Sequence, residues 1–339
     1  MKAFKYILLL LLIFIIGFSI YVAVQPNEFS FNRSRTINAP ASLLYQKVND
    51  FKEWPSFSPW IEQEPDATIT YGDKTSGENA NFSWKGEILG EGQMTTNTIE
   101  ENKSITQLIE FTAPYEAKSN VNWTFEPTDE GTKVTWAMDG NQDFVSKLFT
   151  TLMGSIESET GPDFERGLFK LDSLVTEDMA RYDININGIT EYGGGFYLYK
   201  TTNANSTNMS AKMGENFGAV MQFMGSKGIV PFGMPLTVYN DMGEDNVIMS
   251  NGIPVNERYT IPEGSDVSIG YIPKTKVLKT ILLGNYTNLS KAWEATMNHI
   301  SENGLVQSDL KPFEIYTNDP GNFPNPADWR TEIYIPLKE

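Results

Sequence analysis

Cysteine is absent from the sequence, and histidine occurs once, at position 299. Disulfide bonds, thiolate nucleophiles and Cys-ligated metals are therefore excluded. A single histidine excludes multi-histidine metal sites and argues against a Ser-His-Asp triad. His299 falls in the helical pattern of residues 291–302, where an exposed helix position accounts for it. We therefore predict no metal and no cofactor.

Basic residues are also scarce, since 26 Lys and Arg stand against 43 Asp and Glu, a net charge of -17. A nucleic-acid surface needs clustered Lys and Arg, so we predict no nucleic-acid partner. The acidic balance suits a soluble, self-repelling body or cationic partners. At 339 residues the chain has room for two domains of ordinary size.

A long apolar run occupies residues 6–24, behind Lys2 and Lys5. As a helix it would extend roughly 28 Å, close to the thickness of a bilayer's hydrocarbon core. A cleavable signal peptide is the alternative, but its apolar region would be shorter, and Val22-Ala23-Val24-Gln25 is a poor cleavage site. We predict a transmembrane signal anchor over residues 1–28 that contacts the membrane through residues 6–24.

The flanking charges predict how this anchor is oriented. Lys2, Lys5 and the terminal amine favour a cytoplasmic N-terminus, although Arg33 and Arg35 beyond the run work against that orientation. Asn-x-Ser/Thr sequons without any disulfide are unusual for a secreted eukaryotic protein and indicate a bacterial one. We therefore expect a single-pass protein of the bacterial inner (cytoplasmic) membrane, with its soluble domains periplasmic or otherwise extracytoplasmic.

The pattern of strands and helices over residues 29–177 predicts a first soluble domain. A strand at 31–37 and a helix at 41–49 precede the aromatic loop 54–60. A run of short alternating strands then extends to about residue 139. A final helix, opened by Gly161-Pro162, carries an apolar stripe at Phe164, Leu168, Leu171 and Val175. This order predicts an antiparallel sheet that grips a long helix.

Several motifs in this segment carry a family resemblance. They are Thr36-Ile37-Asn38-Ala39-Pro40, Trp54-Pro55-x-Phe57-Ser58-Pro59-Trp60, Trp84-Lys85-Gly86, Gly90-Glu91-Gly92-Gln93-Met94-Thr95 and Gly161-Pro162-Asp163-Phe164-Glu165-Arg166-Gly167-Leu168. The segment resembles the polyketide cyclase/START-like (SRPBCC) superfamily, whose fold usually encloses an apolar cavity. Trp54, Trp60 and Trp84 are candidates to line the mouth of such a cavity. Plain core packing of these large aromatics is the alternative.

After a polar stretch at Thr176–Asp183, which we interpret as a linker, the chain repeats itself. Residues 217–241 match residues 293–319, and the two segments end in Ile253-Pro254-Val255 and Ile335-Pro336-Leu337 respectively. We predict a domain over 183–339 built from two βαββ units, at about 184–256 and 257–339. The units would pair about a pseudo-twofold axis and leave a cleft between them. The predicted fold class is therefore α+β, with one transmembrane helix.

The second domain also resembles a known family. Its motifs are Leu283-Gly284-Asn285-Tyr286-x-x-Leu289-x-x-Ala292-Trp293, Asn303-Gly304-Leu305, Phe313-Glu314-Ile315-Tyr316-x-Asn318-Asp319-Pro320 and Thr331-Glu332-Ile333-Tyr334-Ile335-Pro336-Leu337. It is similar to the GyrI-like effector-binding domain of multidrug-sensing transcription activators. Those regulators carry a helix-turn-helix ahead of this domain, whereas here a membrane span and a START-like domain precede it.

Glu332 is the residue on which the functional question depends. It alternates with Arg330 and Tyr334 on one face of the last strand, among Trp, Ile and Tyr. A carboxylate is costly to bury there unless a positive group meets it, and that group is either a neighbouring Arg or a cationic ligand. Counting back from the two Ile-Pro motifs, the first unit has Ser250 in this place, so symmetry alone does not require the carboxylate.

The resemblance implies that Glu332 lies at the floor of an aromatic cleft that accepts lipophilic cations. It also implies aromatic walls, for which the candidates are Tyr286, Tyr334, Tyr316 and Trp293. We accordingly expect a membrane-anchored, non-catalytic binder of small hydrophobic or amphipathic molecules, most of all cations. Two alternatives stay open: a hydrolase of reactive small molecules with Glu332 as general base, or a lipid carrier that uses the START-like cavity.

Overall fold

The structure, a computed structural model, describes residues 2–243, 245–318 and 320–338. Asp319 of the third effector-domain motif lies outside the described residues, as do Met1 and Glu339, where the predicted first and last domains begin and end. The chain divides into two units, Met1–Glu177 and Asp178–Glu339, which are taken one at a time.

The first helix, α1 (Lys2–Ala23), contains the apolar run. Its residues Phe4–Ala23 form the one described helix that is long and apolar enough to cross a membrane. Nearly all of its large apolar side chains are exposed, except Phe18, which is half-buried, and Val22 in the last turn, which is buried. A helix with apolar residues on every side is typical of a membrane span.

Seven antiparallel strands build the sheet of the first unit, in the spatial order β1-β7-β6-β5-β4-β3-β2. The strands are β1 (Glu28–Ile37), β2 (Thr68–Tyr71), β3 (Asn81–Lys85), β4 (Glu91–Glu100), β5 (Ser104–Ala113), β6 (Ala117–Thr128) and β7 (Gly131–Asn141). β1 and β7 pair from Glu28–Asn141 to Ile37–Thr132. The first strand of the unit therefore lies beside the last one in the same sheet.

Five helices belong to this unit besides α1. They are α2 (Ala41–Asn49), α3 (Trp54–Phe57), α4 (Pro59–Gln63), α5 (Phe144–Met153) and α6 (Ile156–Ala180). The predicted aromatic loop 54–60 is therefore helical, which corrects the expectation. Prolines near the start of α3 and α4 favour helical φ without losing a hydrogen bond, and the Ser58 side chain accepts from the Ile61 amide.

The long helix α6 is longer than the sequence predicted at both ends. It begins at Ile156, ahead of the expected start at Gly161-Pro162, and includes Pro162. It continues to Ala180, so most of the stretch that we interpreted as a linker is helical. The residues between 176 and 180 include no glycine or proline to end the helix, which is the physical reason for the extension.

Stacked aromatic rings join α6 to the sheet. Trp136 on β7 lies between Trp123 on β6, with ring centroids 4.2 Å apart, and Phe164 on α6, at 4.1 Å. All three rings are fully buried. Gly167 lets the helix approach this stack, because a Cβ built there would lie 2.7 Å from the Trp136 ring. The predicted helix-grip arrangement is confirmed.

Eight antiparallel strands form the sheet of the second unit, in the order β12-β9-β11-β10-β14-β15-β13-β8. The strands are β8 (Tyr182–Tyr192), β9 (Gly195–Ala204), β10 (Leu236–Met242), β11 (Val247–Val255), β12 (Ser268–Ile272), β13 (Thr275–Gly284), β14 (Phe313–Tyr316) and β15 (Arg330–Pro336). The helices are α7 (Met209–Lys227) and α8 (Leu289–Glu302), with short 3₁₀ turns at Tyr286–Asn288 and Pro326–Asp328.

Both helices pack on one face of this sheet, each over its own repeat. Val220 and Met224 of α7 contact Leu198 and Ile253, and Ala292 of α8 contacts the cluster around Ile333. The duplicated βαββ core is thus present, and each unit gains one further strand at its start. β8 pairs with β13 and β12 pairs with β9, so each extra strand joins the other repeat. The predicted α+β fold class is confirmed.

Two glycine substitutions test the contact between α6 and the aromatic stack. Gly167→Ala places a methyl group against the Trp136 ring, and we expect it to destabilise the first unit by about 1–3 kcal/mol. Gly218→Ala in α7 is the control, because a Cβ there has nothing within 4 Å. It should stabilise the second unit by about 0.5–1 kcal/mol through helix propensity. Calorimetry of the full chain in detergent checks both, and equal stabilisation by the two changes would contradict the close packing.

Candidate functional site

The centre of the eight-stranded sheet lies where the two repeats meet, between β10 and β14. Their register pairs Leu236 with Ile315, Thr237 with Glu314 and Val238 with Phe313. Thr237 and Glu314 are also equivalent positions of the two repeats, so the pseudo-twofold axis passes between them. One repeat therefore contributes a hydroxyl on this axis and the other a carboxylate.

Aromatic side chains surround the Glu314 carboxylate on the face of the sheet that carries the helices. The Trp293 indole of α8 donates to Oε1, and the Tyr316 hydroxyl donates to Oε2 at 2.8 Å. Tyr239, the repeat counterpart of Tyr316, also hydrogen-bonds to the carboxylate. The Tyr239 and Trp293 rings meet edge to face at 5.2 Å. Three aromatic donors thus converge on one acid.

Glu314 is completely buried, with 0% of its surface exposed. Burial raises the pKa of its carboxyl group, and the hydrogen bonds from Trp293, Tyr316 and Tyr239 oppose the rise only in part. Among the residues that the structure describes, no Lys, Arg or His forms an ion pair with this carboxyl. It is therefore an acid whose charged form lacks a counterion among the described residues.

A chain of hydrogen bonds continues from Glu314 across the axis to α7. The Tyr316 hydroxyl lies 3.0 Å from Thr237 Oγ1, which accepts from Asn251 Nδ2 at 2.9 Å. Asn216 of α7 donates to Asn251 Oδ1 at 2.8 Å. Buried polar groups of this kind fix side-chain positions when they are all satisfied. Burial also raises the pKa of the Tyr239 and Tyr316 hydroxyls well above the ordinary tyrosine value.

Glu332 lies on the opposite face of the sheet from the helices. Its neighbours Ile333 and Ile335 point toward α8, and strand alternation therefore turns Glu332 away from it. Lys279 Nζ lies 2.9 Å from one carboxylate oxygen, and Arg330 Nη2 lies 2.8 Å from the other. The Tyr334 hydroxyl also donates to the carboxylate. Burial acts to raise the pKa of Glu332, but these partners outweigh it and the pKa is lowered.

The five predicted ligand residues of this domain are thus divided between two faces. Trp293 and Tyr316 contact Glu314 on the helix face, and Tyr286 packs edge to face on Tyr316 at 5.6 Å. Glu332 and Tyr334 lie on the other face, where Tyr334 stacks on Phe313 at 4.9 Å. Within the described part of the chain, no group of three or more His, Asp or Glu side chains is placed to hold a metal ion.

The structure adds Glu314 and Tyr239 to the candidate residues, and the sequence carried a signal for both. Glu314 is an acid inside the short apolar strand 313–316, and the matching position of the first repeat is Thr237. The same comparison that marked Glu332 against Ser250 marks Glu314 against Thr237. The sequence did not show that two cationic side chains lie beside Glu332. It also did not show that none of the described cationic side chains lies beside Glu314.

The first unit contains a separate cavity of about 410 Å³ between its sheet and helices. All three predicted tryptophans line it: Trp54 from the buried core, Trp60 beside α6 and Trp84 from β3. The other lining side chains are mainly apolar, and they include Phe29, Met94, Ile109, Met138 and Phe164. The volume falls in the range of about 300–1,000 Å³ that is typical of small-ligand pockets.

A carboxylate orders the loop beside this cavity. Glu64 accepts hydrogen bonds from the backbone amides of Glu87 at 2.6 Å, Ile88 at 3.0 Å and Leu89 at 2.9 Å. The amide of Leu89 contributes most to lowering the pKa of Glu64. The lowered pKa favours the ionised carboxylate, which is the form that accepts these hydrogen bonds from the loop. Ile88 and Leu89 are thereby placed in the cavity wall.

Comparison with known proteins assigns both domains. Residues 28–175 match the family model described as polyketide cyclase/dehydrase and lipid transport, and residues 196–338 match the GyrI-like small molecule binding domain. The chain therefore carries a polyketide cyclase-like (SRPBCC-like) domain followed by a GyrI-like domain, as the motifs indicated. A search of curated proteins found no match.

Solved structures resemble less than half of the chain each, at low identity. The C-terminal domain of EcmrR is 21% identical and covers 47% of this chain and 98% of its own, with a TM-score of 0.41. Protein MLL2253 from Mesorhizobium loti is 16% identical and covers 44% and 98%, with a TM-score of 0.31. The protein Ara h 8.0201 is 12% identical and covers 43% and 99%, with a TM-score of 0.32.

The two glutamates make opposite predictions for stability. Glu314→Gln should stabilise the second unit at neutral pH by about 1 kcal/mol, or roughly 2–4 °C in Tm, because it removes a buried charge without a counterion. Glu332→Gln should destabilise it by about 1–2 kcal/mol, a value discounted because Arg330 is partly exposed to solvent. Equal effects of the two changes would contradict the assignment of their charge environments.

The pH dependence of the same variants has opposite signs. Since the folded pKa of Glu314 is raised, its contribution is fully present below the unfolded pKa and is lost as pH rises through the folded pKa. The advantage of Glu314→Gln should therefore grow as pH rises. Since the folded pKa of Glu332 is lowered, its contribution is lost as pH falls through that pKa, and the penalty of Glu332→Gln should then shrink. Thermal unfolding over about pH 3–8 measures both trends.

Proposed function

We propose that this protein is a membrane-anchored receptor for small amphipathic molecules, and that its GyrI-like domain binds a lipophilic cation at Glu314. The observation that carries the proposal is a fully buried carboxylate with three aromatic hydrogen-bond donors and no described counterion. A cation that reaches it supplies the missing charge and stacks on electron-rich rings. The family match to a small-molecule-binding domain supports the same class of function.

The electrostatics favour a cation over a neutral ligand. Without a ligand, burial raises the pKa of Glu314 and so favours the carboxyl form that holds a proton over the charged form. A bound cation stabilises the ionised form, so binding should displace that proton and strengthen as pH rises. Glu332 already has Lys279 and Arg330 as partners, so a second cation gains little there. We therefore place the ligand carboxylate at Glu314 and not at Glu332.

Access to Glu314 requires an aromatic wall to move, because the carboxyl group has no exposed surface. Tyr286 and Phe217 are half-buried and pack edge to face on Tyr316 from opposite repeats, at 5.6 and 6.0 Å. Both rings therefore lie over Tyr316 on the face of the sheet that carries α7 and α8. We infer that they separate when the ligand binds, which exchanges ring–ring contacts for ring–ligand contacts.

A binding measurement tests this site directly. We expect tetraphenylphosphonium to raise the Tm of the full chain in lipid nanodiscs, since a ligand at a hundredfold excess over Kd stabilises the folded state by about 2.7 kcal/mol. Glu314→Gln should weaken binding at least about tenfold, the loss of about 1.4 kcal/mol. Glu332→Gln is the matched control and should bind within about twofold of wild type. Loss of binding in Glu332→Gln alone would move the site to the other face.

A hydrolase is the second candidate, and one observation favours it. A general base at neutral pH needs a raised pKa, and Glu314 meets this condition whereas the lowered pKa of Glu332 does not. The adjacent Tyr239 and Tyr316 hydroxyls would orient a water molecule or a substrate oxygen. Product that accumulates over many turnovers, and is lost in Glu314→Gln, would distinguish an enzyme from a receptor.

The cavity of the first unit supports binding of an apolar molecule there, such as an acyl chain. Its lining is mainly aliphatic and aromatic. The family model that matches this domain is described by lipid transport as well as by polyketide cyclase and dehydrase. α1 would keep both domains at the membrane where such molecules concentrate, with the soluble domains outside the cytoplasm of a bacterium, as the flanking charges predict. This arrangement makes the membrane the source of ligand.

Filling this cavity should abolish apolar binding. Ala117→Trp adds a large ring at a lining position, and we expect the full chain to lose most of its N-phenyl-1-naphthylamine fluorescence and most co-purifying lipid. Thr98→Trp is the control, since this exposed strand position lies outside the cavity lining. Unchanged dye and lipid binding in a folded Ala117→Trp protein would exclude the cavity as the site.

A further inference from the structure

The helix α5 is joined to the end of α1 by a buried lysine. Lys147 is 5% exposed, and its ammonium donates to the carbonyls of Ala23 and Gln25 at 3.0 Å each and to Asn27 Oδ1 at 2.7 Å. Ala23 is the last residue of α1, so its carbonyl has no partner within that helix. A cation at this end also complements the helix dipole. The contact holds α5 beside the end of the apolar helix.

α5 presents a row of large apolar side chains that the first unit leaves largely exposed. Val145, Phe149 and Leu152 recur at i, i+4 and i+7, and each is more than half exposed, as is Met153 at the end. Exposing such area to water is unfavourable. With 10 residues the helix extends only about 15 Å, too short to cross a bilayer. It suits a position along a surface.

Other exposed apolar residues lie at the same end of the sheet. The strand register brings together the start of β1, the end of β7, the β5–β6 loop and the β3–β4 loop. The β5–β6 loop exposes Tyr115, whose ring lies 5.7 Å from that of Phe149, and the β3–β4 loop exposes Ile88. One end of the domain thus carries the exit of α1 and apolar side chains from three elements.

We propose that this end of the first domain is a membrane-docking surface, with α5 lying in the interface of the bilayer that α1 crosses. The proposal rests on the membrane anchor of the proposed function and adds a second contact. We infer that a bilayer covers this surface because the surface continues that of the anchor. The apolar side chains of α1 would face lipid up to Ala23, and Lys147 holds α5 directly beside that residue. Tyr115 has the apolar ring and polar tip that suit the headgroup region.

The charges of this surface specify the kind of membrane contact. Glu28, Glu87 and Glu116 are exposed there, while Lys85 and Lys118 are paired with Glu91 and Glu110 respectively. Attraction to anionic lipid headgroups therefore does not drive docking. Insertion of apolar side chains does, so a zwitterionic phosphatidylcholine surface should suffice, and added salt or phosphatidylglycerol should not strengthen the contact.

The absence of cysteine allows a direct test with single-cysteine variants of the full chain. Each is labelled with bimane and reconstituted in phosphatidylcholine vesicles with or without doxyl-labelled phosphatidylcholine, a quencher held in the bilayer. The positions are Leu152→Cys on α5, Ile13→Cys within α1 and Asp129→Cys on the β6–β7 turn at the opposite end of the sheet. We expect quenching at Leu152 several-fold greater than at Asp129, and unchanged by salt.

Each result decides between the surface and the anchor. Quenching at Ile13 with none at Leu152 beyond that at Asp129 overturns the docking surface and leaves the anchor standing. Absence of quenching at Ile13 contradicts the anchor. In that case quenching at Leu152 supports the docking surface, and absence of quenching at Leu152 refutes it. A Leu152 label that escapes quenching, together with an unlabelled Leu152→Cys protein whose thiols form an interchain disulfide when copper phenanthroline is added as oxidant, would show that a second copy covers α5, which also overturns the proposal.

Discussion

The pairing of Thr237 with Glu314 is the constraint on which the second domain depends. It joins the two repeats into one sheet and fixes the pseudo-twofold axis, and the exchange of β8 and β12 then locks each repeat to the other. Both side chains of this pair are fully buried. A carboxylate at this point therefore loses most of its hydration, and only hydrogen bonds from Trp293, Tyr316 and Tyr239 replace it.

Two glutamates of one domain illustrate how partners decide the state of a buried acid. Glu332 is nearly as buried as Glu314, yet two cations and a tyrosine lower its pKa, and it stabilises the sheet. Burial raises the pKa of Glu314, because the carboxyl meets hydrogen-bond donors but no described cation that would offset the loss of water. We propose that the first arrangement stabilises the fold and that the second binds a ligand, which would supply the positive charge that the described residues do not.

The first domain separates its apolar surface into an inner and an outer part. The inner part lines the cavity beneath Trp60 and Trp84, and the outer part lies on α5 and the neighbouring loops. Ile88 belongs to both, since it lines the cavity and is also exposed. A ligand that leaves a membrane at this end would therefore have a short path to the cavity, because the same loop that Glu64 holds borders both surfaces.

The sequence by itself determined most of the elements and both families, because periodicity, the repeat and short motifs are local properties. It located the α1 run and the βαββ duplication, it named three tryptophans as cavity candidates with core packing as the alternative, and it marked an acid present in one repeat only. The tertiary structure alone decided which acid lacks a counterion, since Lys279 reaches Glu332 from a neighbouring strand far away in sequence. It also decided that α6 continues to Ala180 and that Lys147 reaches Ala23. Charge compensation and burial depend on distances through space, which strand alternation and spacing do not contain.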